Sequence, residues 1–169
     1  MLQYFILCYQ ICLLRKGPQD LPHSVSRLVT AAAILFGLLM SMHLFLDTDR
    51  EDAFTFEIIL LICPFVYVGV VLWITQKLNR FVQSMLAMIG VECWVNLVMI
   101  VYVTLIAPNA PLMIVQFIPI IIYIWRLTVI SFIFKQMISS DNLAAILLTV
   151  TFEMLRIMTV LSLMGQVNT

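Results

Sequence analysis

Residues 112–135 read LMIVQFIPIIIYIWRLTVISFIFK, and this stretch decides the fold. Its only charges are Arg126 and the terminal Lys135. About 20 mainly apolar residues carry a helix across the ~30 Å hydrocarbon core of a bilayer. At ~1.5 Å of rise per residue, Arg126 stands roughly 14 Å from the Lys135 end, near the middle of such a core. A charge there costs roughly 2.5–3.5 kcal/mol on insertion scales. The stretch therefore implies a membrane span together with something that offsets its arginine.

Four further stretches, 25–46, 53–78, 81–107 and 143–164, meet the same criterion. The chain of 169 residues is 63% hydrophobic and 11% charged, with a mean hydropathy of +1.10. Soluble domains carry about 25% charged residues. The expected fold is an all-α integral membrane bundle of five transmembrane helices over residues 25–165. A short interfacial helix (1–16) and a proline-containing connector (17–24) precede it, and a short tail (166–169) follows. Pro64 and Pro119 fall inside two of the spans, where proline is expected to kink a helix.

Residues 2–14 are apolar but too short to span. Gln3 and Gln10 share one helical face, with Phe5, Ile6, Tyr9 and Leu13 favouring another, which predicts an amphipathic helix lying on the membrane. No basic segment precedes it and no small-residue cleavage site follows, unlike a signal peptide. Arg15, Lys16, Arg27, Lys77, Arg80 and Lys135 flank alternate spans and fall on one side when five spans alternate. The positive-inside rule puts that side, with the N-terminus, in the cytoplasm and the C-terminus outside. A bacterial inner membrane is the expected location.

Arg126 has company. Glu92 and Glu153 lie roughly 18 Å from the cytoplasmic ends of their spans, with Arg156 slightly beyond. Glu153 and Arg156 are three residues apart and can pair on one helix face. Glu92 and Asn96 form a polar stripe on the preceding helix, with Glu92 the expected partner of Arg126. The predicted intramembrane network is thus Glu92, Asn96, Arg126, Glu153 and Arg156. Its balanced signs favour a structural clamp; a relay or transport path is the alternative. Glu57, about one turn inside the outer boundary, is expected to contact water or Arg50. His43 is expected to be an interfacial polar group.

Other chemistries lack their residues. Asp47, Asp49 and Glu51 alternate like a calcium loop, but Asp52 and Ile58 stand where an EF-hand needs Gly and Glu. No CxxC or Cys/His spacing suggests a metal, and Cys8, Cys12, Cys63 and Cys93 read as packing thiols. Phosphate-loop, nucleophile-elbow, zincin and dinucleotide fingerprints are absent. No catalytic residue and no cofactor are expected. Zero net charge argues against nucleic acid as a partner. Ala33, Gly37 and Ser41 form a small-xxx-small stripe that lets another helix approach closely. The run Pro18, Gln19, Asp20, Leu21, Pro22 reads as a rigid docking loop or a plain connector, with Asp20 capping a turn.

The run from Tyr123-Ile124-Trp125-Arg126 through Lys135 to Ala144-Ala145 resembles the Yip-domain family. That family has a Trp-bearing fourth span, a short polar turn and a fifth span opened by small residues. The resemblance implies five closely spaced spans behind a cytoplasmic N-terminal segment, and in eukaryotic members an association with Rab-type GTPases. Their cytoplasmic Asp-Leu-x-Gly-Pro motif is reversed here, since Gly17-Pro18 precedes Asp20-Leu21. The expected function is a non-enzymatic accessory, scaffold or assembly subunit of a membrane complex. Its expected partners are membrane lipids and a membrane protein or a second copy of the chain. The alternative is a small transporter or channel.

Overall fold

The computed structural model describes residues 2–46 and 50–167, with side chains over 3–41, 57–111 and 113–162. Among the described residues there is no strand. The helices are α1 (Leu2–Cys12), α2 (Val25–Leu46), α3 (Arg50–Ile74), α4 (Phe81–Val101), α5 (Leu112–Ile138) and α6 (Asn142–Val167). Four apolar helical stretches are long enough to cross a membrane: Glu57–Ile74, Leu78–Asn109, Met113–Ile138 and Asn142–Ser162. The first long helix, α2, contributes the shorter apolar stretch Val25–Ser41. This composition is consistent with an integral membrane protein. His43 and the acids Asp47, Asp49 and Glu51 lie outside the described side chains.

The helix ends follow local chemistry. Ser24 Oγ accepts from Arg27 N at 3.4 Å at the start of α2, and Asp141 Oδ1 accepts from Ala144 N at 3.3 Å before α6. Both are N-cap contacts to otherwise orphaned donors. At the other ends, α1, α3 and α5 close alike. Leu14, Gln76 and Ser139 adopt φ of 59°, 55° and 53°. The following amides, Arg15, Lys77 and Ser140, reach back to the carbonyls of Gln10, Leu72 and Lys135 at 2.9, 2.8 and 3.2 Å. This is the Schellman arrangement, made without glycine. Helices α3 and α5 continue through Pro64 and Pro119.

Helix α4 is the axis of the molecule. It packs against α1, α2, α3 and α5, while α6 lies on α5 and α3. Every side chain from Ser84 through Val91 is buried, as expected of a helix apolar on all sides and enclosed by others. Beyond Val101 it widens into a single π-turn, Tyr102–Ile106. Tyr102 ties this turn to α5 by donating to Val115 O at 2.8 Å.

One end of the bundle gathers the basic turns. Arg80 Nη1 donates to Gln136 O and Met137 O, each at 3.2 Å, and to Ser139 Oγ at 2.9 Å. Lys77 Nζ donates to Ile138 O. These cations satisfy the orphan carbonyls at the C-terminus of α5, where the helix dipole also favours positive charge. The connector docks at the same end. Gln83 Nε2 donates to Leu21 O at 2.8 Å and to Gln19 O at 3.4 Å.

Helix α1 forms, and one side of it is built into the bundle: Tyr4, Cys8, Ile11 and Cys12 are each at most 1% exposed, and it packs across α4. Tyr4 Oη donates to Leu86 O at 3.0 Å. Trp94 Nε1 donates to Phe5 O at 3.3 Å, and Trp125 Nε1 to Cys12 O at 3.2 Å. The contact is close because position 90 is glycine: a Cβ there would run into Cys8 and lie 2.9 Å from Tyr4 Oη. Between the glutamine and bulky apolar faces lies this third, protein-facing side. Sorting α1 into two faces could not reveal it.

Candidate functional site: a buried charge network

Arg126 on α5 stands at the centre of the network and is 4% exposed. Its Nε donates to Glu92 Oε1 and Oε2 at 2.9 and 3.1 Å, and its Nη2 to Oε1 at 2.5 Å. Its Nη1 donates to Glu153 Oε1 at 2.7 Å. Tyr123, one turn earlier on α5, donates to the other Glu153 oxygen at 3.2 Å, and Arg126 Cζ lies 5.9 Å from the Tyr123 ring centroid. Every carboxylate oxygen of Glu92 and Glu153 therefore has a donor. A forked guanidinium suits this task because it presents several N–H groups in one plane.

Arg156 is held more loosely. Its Nη1 lies 3.4 Å from Glu92 Oε1 and 4.0 Å from Glu153 Oε1, and its side chain is 25% exposed. The Glu153–Arg156 pair that their spacing allows is present at 4.0 Å, while Arg126 reaches both acids more closely from a facing helix. Asn96 turns back on its own helix, donating to the Glu92 carbonyl at 2.8 Å rather than to a carboxylate.

A cavity of about 30 Å³ adjoins the network, with Glu57, Glu92, Asn96 and Arg156 as its polar lining. Leu35 and Leu39 of α2 close one side. Glu57 is only 6% exposed and lines this cavity; Arg50, its other expected contact, lies outside the described side chains. Sequence depth alone did not place Glu57 beside the network. Tyr123 was also missed; a tyrosine one turn before the buried arginine was the available signal.

Toward the basic end the network is sealed by apolar side chains. Met85, Leu86, Val129, Ile130, Ile133 and Phe134 are each at most 1% exposed. Beside them Tyr67, Phe134 and Phe152 form an aromatic triad with centroid separations of 5.2–6.1 Å. Among the described residues no His, Cys, Asp and Glu group could hold a metal ion. The four cysteines are free.

The remaining predicted residues lie elsewhere. Ala33 and Gly37 are exposed on α2, and a Cβ at Gly37 would meet nothing within 4 Å. Ser41 Oγ donates to Leu38 O at 2.6 Å. In the connector Pro18 and Leu21 are buried, Pro22 is half-buried, and Gln19 and Asp20 are exposed. Asp20 Oδ2 accepts from Gly17 N at 3.0 Å, and Gln19 Nε2 reaches Gln136 Oε1 at 3.4 Å. Much of this loop is committed to packing on the bundle.

Comparisons with family models, characterised proteins and solved structures find no match.

Proposed function

We propose that this protein is a non-enzymatic accessory or assembly subunit of a membrane complex. Its five spans would have the basic end in the cytoplasm, and the bacterial inner membrane is the setting that this layout suits. The observation that carries the reading is the contrast between two surfaces. The charges are consumed inside the molecule, whereas the Ala33–Gly37 face of α2 points outward with open space above it. Small residues on an outward face suit close approach by another membrane helix. The partner is a membrane protein or a second copy of the chain. Helix α1, seated against α4 between Leu86 and Trp94, would enter the cytoplasmic leaflet rather than rest on the headgroups. The Yip-like layout of short loops and clustered basic turns fits the same reading.

The test is Gly37→Leu in the full chain, extracted in mild detergent after crosslinking. Loss of the partner with an unchanged melting temperature supports the proposal. Recovery of the natural chain as a lone monomer, with no crosslinked partner, defeats it.

The polar cavity favours a second reading, a small transporter. On that reading Glu92→Gln and Glu153→Gln abolish flux while membrane yield is maintained. As clamp residues, the same variants lower yield and stability together.

A further inference from the structure

We infer that the open groove between α1, α2 and α4 holds one acyl chain of an anionic phospholipid, with Arg27 of α2 receiving the lipid phosphate. The groove has a volume of about 470 Å³, and its walls include Ile6 and Tyr9 of α1, Ile34 and Leu38 of α2, and Trp94 and Leu97 of α4. Small-molecule sites commonly occupy about 300–1,000 Å³. Its other polar groups are committed: Trp94 Nε1 donates to Phe5 O at 3.3 Å, and Cys93 Sγ lies 4.0 Å from Ala31 O. Tyr9, whose ring centroid is 5.4 Å from that of Trp94, carries the one hydroxyl of the lining. The groove thus offers apolar surface and almost no hydrogen-bonding pattern. A methylene chain suits it.

Arg27 supplies the place for a headgroup. Positions 27, 34 and 38 are spaced i, i+7 and i+11, so they share one face of α2. At ~1.5 Å per residue, Arg27 lies roughly 10 Å from Ile34 and 16 Å from Leu38, toward the basic end. Its side chain is exposed, and among the described residues it forms no ion pair. The first turn of α2 contains no acid, and a helix N-terminus adds partial positive charge of its own. A cation above an apolar groove matches a molecule with an anionic head and a hydrocarbon tail. Basic residues at a membrane surface attract anionic lipids in this way, whereas a zwitterionic lipid would bring its own cation to Arg27.

A partner helix fits the groove less well. A helix about 10 Å across with a 5.4 Å pitch fills roughly 420 Å³ per turn, so the groove seats one turn and not a span. The Ala33–Gly37 face assigned to a partner lies about 100° around α2 from Ile34 and Leu38. The two surfaces can therefore be occupied separately. The inference rests on the chain lying in a bilayer, and not on its being a subunit of a complex.

The test is native mass spectrometry of the full chain in mild detergent, titrated with phosphatidylglycerol or with phosphatidylcholine of the same acyl chains. One phosphatidylglycerol should bind the natural chain about fivefold more tightly than phosphatidylcholine, the preference expected of one basic residue at the surface. Arg27→Gln should abolish that preference, whereas Arg15→Gln, at another exposed cation, should keep it. Leu97→Trp, which fills the groove from a half-exposed position, should weaken both lipids several-fold. If Leu97→Trp does not fold, Ile6→Trp fills the groove from α1 with the same expected result. Equal binding of the two lipids by the natural chain overturns the proposal, as does a preference that survives Arg27→Gln. So does unchanged lipid binding in the groove-filling variant, or displacement of the groove-filling effect onto a dimer that carries no lipid. Soluble glycerophosphoglycerol, which has the head without the chains, should not compete; effective competition would show an anion site alone and overturn the acyl groove.

Discussion

Arg126 answers two acids from neighbouring helices at once, and its removal would strand both. Breaking a buried pair by deleting one partner typically costs about 3–5 kcal/mol, because the survivor remains buried and charged. Arg126→Leu should therefore lower thermal stability in detergent by about that amount. Arg156→Leu should cost well under half as much, since its side chain is 25% exposed and its nearest approach is 3.4 Å. Equal losses from the two variants in a thermal melt would refute this ranking. Arg126→Lys should fall between them, because an ammonium cannot reproduce the fork that engages both Glu92 oxygens. Asn96→Ala should be nearly silent on this assay, since its amide bonds only the carbonyl of Glu92.

At the scale of elements, the seat of α1 on α4 depends on Gly90. Gly90→Ala gains about 1 kcal/mol of helix propensity, but overpacking a close contact costs typically 1–3 kcal/mol. The obstacle includes the Cys8 Cβ, which cannot swing away. The net expectation is that α1 loosens. Its thiols report this directly. Burial pushes Cys8 up to about 11 and Cys12 up to about 12, so both stay protonated at neutral pH and react slowly, since the thiolate is the nucleophile. Maleimide labelling of these two cysteines should be slow in the natural protein and several-fold faster in Gly90→Ala. Unchanged labelling would mean the seat tolerates the methyl group. The same element marks the limit of reading a sequence. The long helices were legible from apolar length, with α2 from Val25 and α4 from Phe81 as anticipated. The four central charges were legible because polar residues at mid-span are rare. What stayed hidden was lateral: which side chains share a cavity with Glu57, which arginine comes closer to Glu153, and which narrow face of α1 meets a glycine. Those depend on the approach of helices far apart in the chain, which periodicity within one helix does not encode.

At the scale of the whole molecule, the two ends are built differently. The basic end is tied by Arg80, Lys77 and Gln83 to carbonyls of α5 and the connector. The network near the middle of the bundle joins α4, α5 and α6. Helix α4 has contacts on several sides and buries eight successive residues from Ser84 to Val91, so it is defined more by its neighbours than by lipid. That has a consequence for synthesis. Glu92 precedes Arg126 by 34 residues, and Arg126 precedes Glu153 by 27. A nascent chain must therefore present an acid to the membrane well before its arginine has been made. For that interval α4 resembles a poor membrane segment, held in the insertion machinery or slipping back. A chain truncated after residue 110 should integrate inefficiently in an insertion reporter assay, and Glu92→Gln in that truncated chain should restore integration. Extension through residue 138 should restore it without any substitution, because the arginine then arrives with its helix. The pairing that pins the finished bundle would thus also set the order in which it can be assembled.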